Sequence, residues 1–487
     1  MPERTATIDR PTAPPRNLGP PSGSAGFALR RTGLPQALRL AGCALGVAAD
    51  AAWAGLGGRL AGRPPEARRA DFAARASARC VRTLGALRGV YAKLGQFASL
   101  RLDLLPPEAT TALAALRDRV PPLPYATIRR CVEGELGAPL ERHFSAFSRE
   151  PLGAASIAQV HRARLEDGTE VAVKVQYPWL EAALPADLAL VRGLLALATR
   201  ALRREREDRE RLFAEFASGL EDELDFTKEA QAARAIASNL ASDPGVVVPE
   251  VFAQHSTRRV LTMRYHAAVP IDDHAGLARL GVAPRDVLVI LARAYASQVF
   301  VDGHFHADPH PGNLFVLETP DAAAAPQLLF VDFGLSRELD PALRDEMRQA
   351  IYALIQRDLD GFVAGMERLR MFDAASKPAV KRAVGAMFER IAGGGGALGL
   401  GGSQVLSLKD EAKALLQETP GLQLPADLLL YAKTLSYVFA LGEALDPEVD
   451  MMKLSLPHLL RFLAQEGPAP AVGATASTSP TAGPADE

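Results

Sequence analysis

Three short patterns fall along this chain in a fixed order, and few arrangements of secondary structure make use of all three. Val171-Ala172-Val173-Lys174-Val175 puts a lysine near the end of an apolar strand that follows a tight turn. His306-Ala307-Asp308 is followed, after four residues, by Asn313. Val331-Asp332-Phe333-Gly334 closes a third apolar run. Singly each is bland, since a lysine at a strand end usually faces water and Asp-Phe-Gly is usually a turn. In this order, with a strand before each part that needs one, they supply a cation, a carboxylate beside an amide, and a second carboxylate. A nucleoside triphosphate carries about four negative charges, so its phosphates need a lysine and a divalent cation held by oxygen ligands.

The flanking sequence predicts strands first and helices after. Ala158 to Leu165 and Glu170 to Gln176 flank Glu166-Asp167-Gly168-Thr169, and Asp-Gly readily takes the positive φ of a hairpin turn. Val246 to Val248, Arg259 to Met263, Asn313 to Leu317 and Leu328 to Asp332 are further strand-like runs. Phe72, Ala76, Cys80, Leu84, Leu87, Tyr91 and Leu94 recur at helical spacing, which predicts one amphipathic helix from Asp71 to the stop at Pro106-Pro107. A second helical segment covers Ala126 to Leu136, and the charged run Arg203 to Arg211 opens another as a solvated face. Beyond Ile271 the periodicity is mostly helical. The glycine-rich run Gly393 to Gly402 follows no strand and reads as a loop, not a phosphate cradle.

Composition excludes several classes. The 487 residues are 48% hydrophobic and 23% charged, which is a folding chain long enough for more than one packed unit. With 55 Lys plus Arg against 57 Asp plus Glu, no global basic field exists to gather nucleic acid. Cys43, Cys80 and Cys131 are far apart in sequence and form no CxxC, arguing against zinc and a disulfide framework and for a reducing compartment. Leu40 to Gly58 approaches the length of a membrane span, yet 12 of its 19 residues are Ala or Gly. Asp50 near its centre would cost about 2.5–3.5 kcal/mol on insertion scales. The stretch therefore reads as a small-residue helix that packs on neighbours or lies at a membrane surface, and not as a cleaved signal.

His306, Asp308 and Asn313 have the spacing of a protein-kinase-like catalytic loop, and further motifs narrow the likeness. The chain resembles the ABC1/ADCK/UbiB family of atypical kinases, also called the Coq8 family, from about Leu34 to Leu463. Lys93-Leu94-Gly95-Gln96 is similar to that family's KxGQ signature. Gly153-Ala154-Ala155-Ser156-Ile157-Ala158-Gln159-Val160-His161 resembles its alanine-rich loop, and Glu223-Leu224-Asp225 its ExD motif. Asp308-Pro309-His310-Pro311-Gly312-Asn313 resembles its catalytic loop. Val248-Pro249-Glu250-Val251 and Val260-Leu261-Thr262-Met263 fit the strands before its hinge.

The resemblance implies an α+β, atypical protein-kinase-like fold, with a small β-containing lobe, a mainly helical large lobe and an N-terminal helical extension over the active site. The expected division is a disordered leader (1–33), the extension with KxGQ (34–145), the N-lobe (146–265), the C-lobe (266–466) and a disordered tail (467–487). It implies ATP or ADP with Mg²⁺ as cofactors, with Lys174 at the phosphates, Glu229 pairing with it, and Asn313 and Asp332 on the metal. Asp308 is the implied base or water-orienting residue. Ala154, Ala155, Ser156 and Met263 line the nucleotide, while Lys93 and Gln96 face Glu223 and Asp225 across the pocket. On one continuous helix Glu223 and Asp225 would lie about 200° apart, so these acids cannot share one role. The family implies ubiquinone or other prenyl-lipid metabolism, lipid- or quinone-pathway enzymes as partners, no nucleic acid, and a cytoplasmic protein with peripheral membrane contact.

Some positions depart from the family pattern. Arg264 and Ala268 stand at the hinge where relatives carry an acid and a glycine, and Glu318 to Gln327 forms a long hairpin tip. The C-terminus lacks the pair of apolar spans of bacterial UbiB proteins, which leaves the N-terminal region or a partner for membrane attachment. Two rivals share the pocket: a nucleotide-sensing regulator or chaperone of lipid-biosynthetic enzymes, and a small-molecule phosphotransferase, which leaves KxGQ and the alanine-rich loop unexplained.

Overall fold

The computed structural model describes residues 34–57, 64–87, 89–100, 122–201, 206–318, 325–393, 422 and 424–464. The leader 1–33, the tail 467–487, Pro106-Pro107, Arg203, the glycine-rich run from 394 onward and the tip at 319–324 lie outside the described residues.

The expected hairpin seeds the first sheet. Strands β2 (Ala158–Arg164) and β3 (Glu170–Gln176) pair antiparallel, with Gly168 turning at φ 87°. Val171, Val173 and Val175 are fully buried on one face of β3. Strands β1 (Ala146–Ala154) and β5 (Val260–Arg264) complete a four-stranded sheet of order β1-β2-β3-β5. Strand β1 is not among the expected strands. Arg149-Glu150-Pro151 interrupts its alternation, and its pairing shifts register twice between Phe147 and Gly153, so no clean period of two exists to read.

Among the described residues, four α-helices precede this sheet: α1 (Leu34–Ala52, continued by a π turn through Gly57), α2 (Pro65–Leu87), α3 (Val90–Leu100) and α4 (Tyr125–Leu136). The single helix expected from Asp71 onward is broken at Gly89, whose φ of 53° an L side chain rarely adopts. The Gly89 amide donates to the Ser156 carbonyl at 3.1 Å, and an added Cβ would come within 2.9 Å of Leu180 Cδ2. The apolar spacing runs through the break unchanged, which hides it from periodicity. Helix α1 packs along α2, and Arg79 Nε meets Asp50 Oδ2 at 3.0 Å. The same contact brings together two cysteines that sequence spacing holds apart. A hydrogen bond from the Cys80 thiol holds the Cys43 thiol below its usual pKa.

Leu40, Leu87, Val90, Tyr91 and Leu94 join one apolar cluster with the valines of β3. The Tyr91 hydroxyl donates to Asp187 Oδ1 at 2.6 Å on α5 (Leu180–Ala201). At the other end of the sheet Leu123 N donates to Gln159 Oε1 at 2.7 Å. Gln159 Nε2 donates to His161 Nε2 at 2.8 Å, and His161 Nδ1 donates to the Ser148 carbonyl at 2.9 Å.

Helix α6 (Arg206–Glu223) ends before α7 (Phe226–Asn239), where Asp225 caps the second helix by accepting from Thr227 N. The continuous helix assumed for Glu223, Asp225 and Glu229 is therefore two. Helix α7 sends Phe226 and Ala230 into the first cluster and Ala233, Ile236 and Leu240 into a second.

That second cluster underlies a sheet of order β4-β9-β8-β6, built from β4 (Val246–Val247), β6 (Ala268–Pro270), β8 (Leu314–Leu317) and β9 (Leu328–Phe330). Val246 and Val247 pair in parallel with Leu328 and Leu329, whereas Val251 bridges Met263 and the Glu250 carbonyl accepts from Arg264 N at 2.8 Å, so Val248 to Val251 leads onto the strand before the hinge. Short strands β7 (His304–His306) and β10 (Ser336–Glu338) pair beside it. Helices α8 (His274–Leu280), α9 (Pro284–Ala296), α10 (Pro341–Gln356), α11 (Leu359–Arg368), α12 (Lys377–Gly393), α13 (Ala426–Leu445) and α14 (Met451–Ala464) complete the larger, mainly helical part of this α+β fold. Among the described residues, two helical stretches are long and apolar enough to cross a membrane by length and composition. Gln36–Gly55 is 6% buried, while Ala426–Leu445 is 50% buried and packs its apolar residues into two cores.

Candidate functional site

Lys174 points from β3 between two carboxylates supplied by different elements. Its Nζ lies 2.8 Å from Glu229 Oε1 on α7 and 2.9 Å from Asp332 Oδ1, just past β9. Cross-strand pairing of Lys174 with Leu261 on one side and Val160 on the other fixes the strand beneath it. Burial works against the Lys174 charge, but Asp332 and Glu229 outweigh it and hold the ammonium above its usual pKa. Burial pushes Glu229 up to about 7 against the attraction of Lys174, with Asp332 adding repulsion. Burial likewise opposes the Asp332 charge, yet Lys174 keeps that carboxyl well below the usual carboxylate range. Asp332 has φ 61°, a left-handed conformation that is costly for a residue with a Cβ. His306 Nε2 donates to the carbonyl oxygens of Asp332 (3.0 Å) and Val331 (3.1 Å), while the Tyr295 hydroxyl meets Nδ1 at 3.2 Å. The first residue of the HxD pattern thus fixes the backbone of the third motif.

Asn313 Nδ2 donates to the Asp308 carbonyl at 3.2 Å and to Asp308 Oδ2 at 3.3 Å. Its amide oxygen is thereby turned away from Asp308. Asp332 and that amide oxygen form a two-member set of hard oxygen donors lining one cavity, and this fits Mg²⁺, which takes few protein ligands and keeps several waters.

The cavity holds about 330 Å³ and gathers Asp308, Asn313 and Asp332 with Lys93, Gln96, Ala155, Ser156 and Glu223. Lys93 on α3 forms an ion pair with Glu223 at the end of α6, both largely shielded. The kink at Gly89 is what brings α3 against the alanine-rich turn, since its amide bonds Ser156. That turn is closed by Ala155 N donating to the Ala158 carbonyl at 2.8 Å and braced by Tyr177 Oη donating to the Ala155 carbonyl at 3.0 Å. None of its alanines takes a positive φ.

Three expected members stand elsewhere. Asp225 does not face Lys93 and Gln96, because its carboxylate is committed to capping α7 through Thr227 N and Oγ1. Ala154 is the last residue of β1, paired with Gln159, and Met263 is a buried residue of β5 paired with Ala172. Neither lines the cavity. Two contributors carry no local sequence signal. Lys433 on α13 reaches Asp308 Oδ1 at 3.5 Å, and Thr434 Oγ1 lies 3.1 Å from the Ala307 carbonyl. Gly89 is the third omission, and a glycine inside an otherwise regular helical period was its one available signal.

The ABC1 atypical kinase-like domain model matches residues 115–365. The chloroplastic protein Activity of BC1 complex kinase 8 of Arabidopsis thaliana is 31% identical over 401 residues, covering 77% of this chain and 52% of that protein. A protein of Aeromonas hydrophila called probable protein kinase UbiB is 32% identical over 393 residues, covering 78% and 69%. The chain thus spans about half the length of the first curated relatives it matches. Among solved structures, the Rv3197–erythromycin complex from Mycobacterium tuberculosis aligns at 26% identity over 74% of this chain and 93% of that one, with a TM-score of 0.46.

Proposed function

Because the chain belongs to the ABC1 family of atypical kinase-like proteins, we propose that it binds ATP or ADP with Mg²⁺ and transfers or hydrolyses the terminal phosphoryl group in support of ubiquinone or other prenyl-lipid metabolism. The observation that carries the reading is Lys174 Nζ held between Glu229 at 2.8 Å and Asp332 at 2.9 Å. It joins the strand lysine, its partner acid and the third motif at one point. When bound, Mg²⁺ would neutralise the developing phosphate charge. Lys174 places a buried cation at the phosphates and Glu229 fixes its direction. Asp332 and the Asn313 amide oxygen would hold the metal. Asp308, on the same cavity, receives the proton of the attacking hydroxyl or water. Lys93 and Gln96 form the wall opposite, which leaves a space sized for a small acceptor. Lipid- or quinone-pathway enzymes are the proposed partners. Helix α1 offers a peripheral membrane contact through exposed Leu38, Leu45 and Trp53.

The test is a thermal-shift titration with ATP or ADP in the presence and absence of Mg²⁺. Wild-type protein should shift, and Asp332→Asn should abolish the Mg²⁺-dependent part. A retained shift in that variant removes Asp332 from the metal site. Asp308→Asn should keep nucleotide binding and lose turnover, and full complementation by that variant would favour a nucleotide sensor over an enzyme. An unchanged quinone and lipid profile in cells lacking the protein would remove the prenyl-lipid assignment.

A further inference from the structure

We infer that Lys433 is a positioning residue for Asp308, supplied to the catalytic loop from a helix that lies 125 positions downstream and outside the matched segment 115–365. The inference rests on the phosphoryl-transfer reading above. Its own support is geometric. Lys433 Nζ lies 3.5 Å from Asp308 Oδ1, and both side chains line the cavity at 12% and 17% exposure. The other carboxylate oxygen, Oδ2, accepts from Asn313 Nδ2 at 3.3 Å. The carboxylate is therefore held from two sides, by the amide of its own loop and by an ammonium from α13.

Helix α13 is placed to do this. Thr434, fully buried, has its hydroxyl between two carbonyl oxygens, that of Leu430 on its own helix at 2.9 Å and that of Ala307, the residue just before Asp308, at 3.1 Å. Tyr431, three positions earlier, meets Phe305 edge-on at 6.1 Å, and Leu430, Tyr431 and Ala307 share one apolar cluster. These contacts fix the register of α13 against the loop, so Nζ of the residue next to Thr434 arrives at Asp308. The Lys433 ammonium also lies 5.6 Å from the centroid of the Tyr437 ring one turn on, which restricts its rotamers.

In the transfer step the acceptor oxygen forms a bond to the terminal phosphorus while the bond from that phosphorus to the bridging oxygen breaks. The acceptor proton passes to the Asp308 carboxylate, and the nucleoside diphosphate leaves with the bonding pair. Lys433 contributes by keeping Asp308 pointed at the acceptor, an orientation effect that acts on turnover and leaves nucleotide affinity unchanged.

The experiment measures steady-state nucleotide hydrolysis with Mg²⁺ by the full-length chain and by Lys433→Met, Lys433→Arg and Lys433→Gln. Thermal shift with Mg²⁺ and ADP reports folding and binding of each. Lys433→Met should lower kcat about tenfold or more while KM for the nucleotide stays within about twofold, and Lys433→Arg should recover most of the loss. Lys433→Gln, close in length and polar, repeats the comparison if the methionine variant is unstable. Retained kcat in the neutral variants, a loss confined to KM, or failure of arginine to rescue would overturn the inference while leaving the nucleotide reading in place. A wild-type chain that shows neither an Mg²⁺-dependent shift nor hydrolysis would overturn the reading and this inference together.

Discussion

Ala155 bears on the site and His161 on the stability of the sheet that carries it. The Ala155 amide closes the turn between β1 and β2, and its methyl restricts φ where a phosphate-covering loop ordinarily uses glycine. Ala155→Gly should loosen that turn and shift the preference between ATP and ADP or the turnover, as read by parallel nucleotide titrations and hydrolysis rates. Unchanged values would remove the alanine from any functional account. His161 is wholly buried, and burial lowers its pKa against the opposing bond to the Ser148 carbonyl. A depressed histidine pKa means the neutral ring stabilises the fold. That contribution is present above the unfolded pKa of about 6.5 and is lost as pH falls through the lower folded value. Protonating Nε2 would also cost the bond from Gln159, and with it the tie to Leu123. His161→Gln should therefore flatten the fall in melting temperature below about pH 6.5 relative to wild type, and an unchanged slope would assign the acid sensitivity to other groups. At this scale the sequence was most legible. Lys174, Asp308, Asn313 and Asp332 announce themselves through spacing, whereas nothing local links Lys433 to an aspartate 125 positions away.

Among the elements, legibility depended on whether a period survived its interruption. The hairpin of β2 and β3 is plain because Asp-Gly punctuates two alternating runs. The break between α2 and α3 is not, because the apolar spacing continues across Gly89. The division of α6 from α7 is hidden similarly, since Leu224-Asp225 also suits a helix and only the capping geometry shows the stop. Helix α1 exposes Leu38, Leu45 and Trp53 at 65%, 72% and 63%, and their spacing of seven and eight puts them on one stripe. Asp50, which weighed against membrane insertion, lies against α2 and is paired with Arg79, so its charge is shielded and offset on that side of the helix. Leu45→Glu with Trp53→Glu should reduce co-sedimentation with phosphatidylethanolamine–phosphatidylglycerol vesicles about tenfold or more, since burying each apolar side chain contributes about 1.5–3 kcal/mol. The Mg²⁺-dependent thermal shift should be unaffected, and undiminished vesicle binding would move the membrane contact off α1.

For the whole molecule, the family resemblance implied a helical extension beside a β-containing lobe, but not that the two share a core. Leu87, Val90 and Tyr91 are packed with Val171, Val173 and Val175 in one cluster, and the Tyr91–Asp187 bond contributes about 1.5–3 kcal/mol as a hydrogen bond to a charged group. Such contacts join residues some 80 positions apart, which no local pattern encodes. Residues 84–97 and 158–176 should therefore lose hydrogen-exchange protection together under increasing denaturant, and earlier release of the helices would show that they fold as a separate unit.

Gly89 gives that arrangement a consequence for traffic through the cavity. The kink pins α3 to Ser156 by a backbone bond, and the helix behind it is rooted in the shared core. A wall anchored in this way is masonry and not a door, because moving it draws on the free energy of local unfolding. Under the proposed function, nucleotide and acceptor would exchange through the rim of the cavity and not by displacement of this wall.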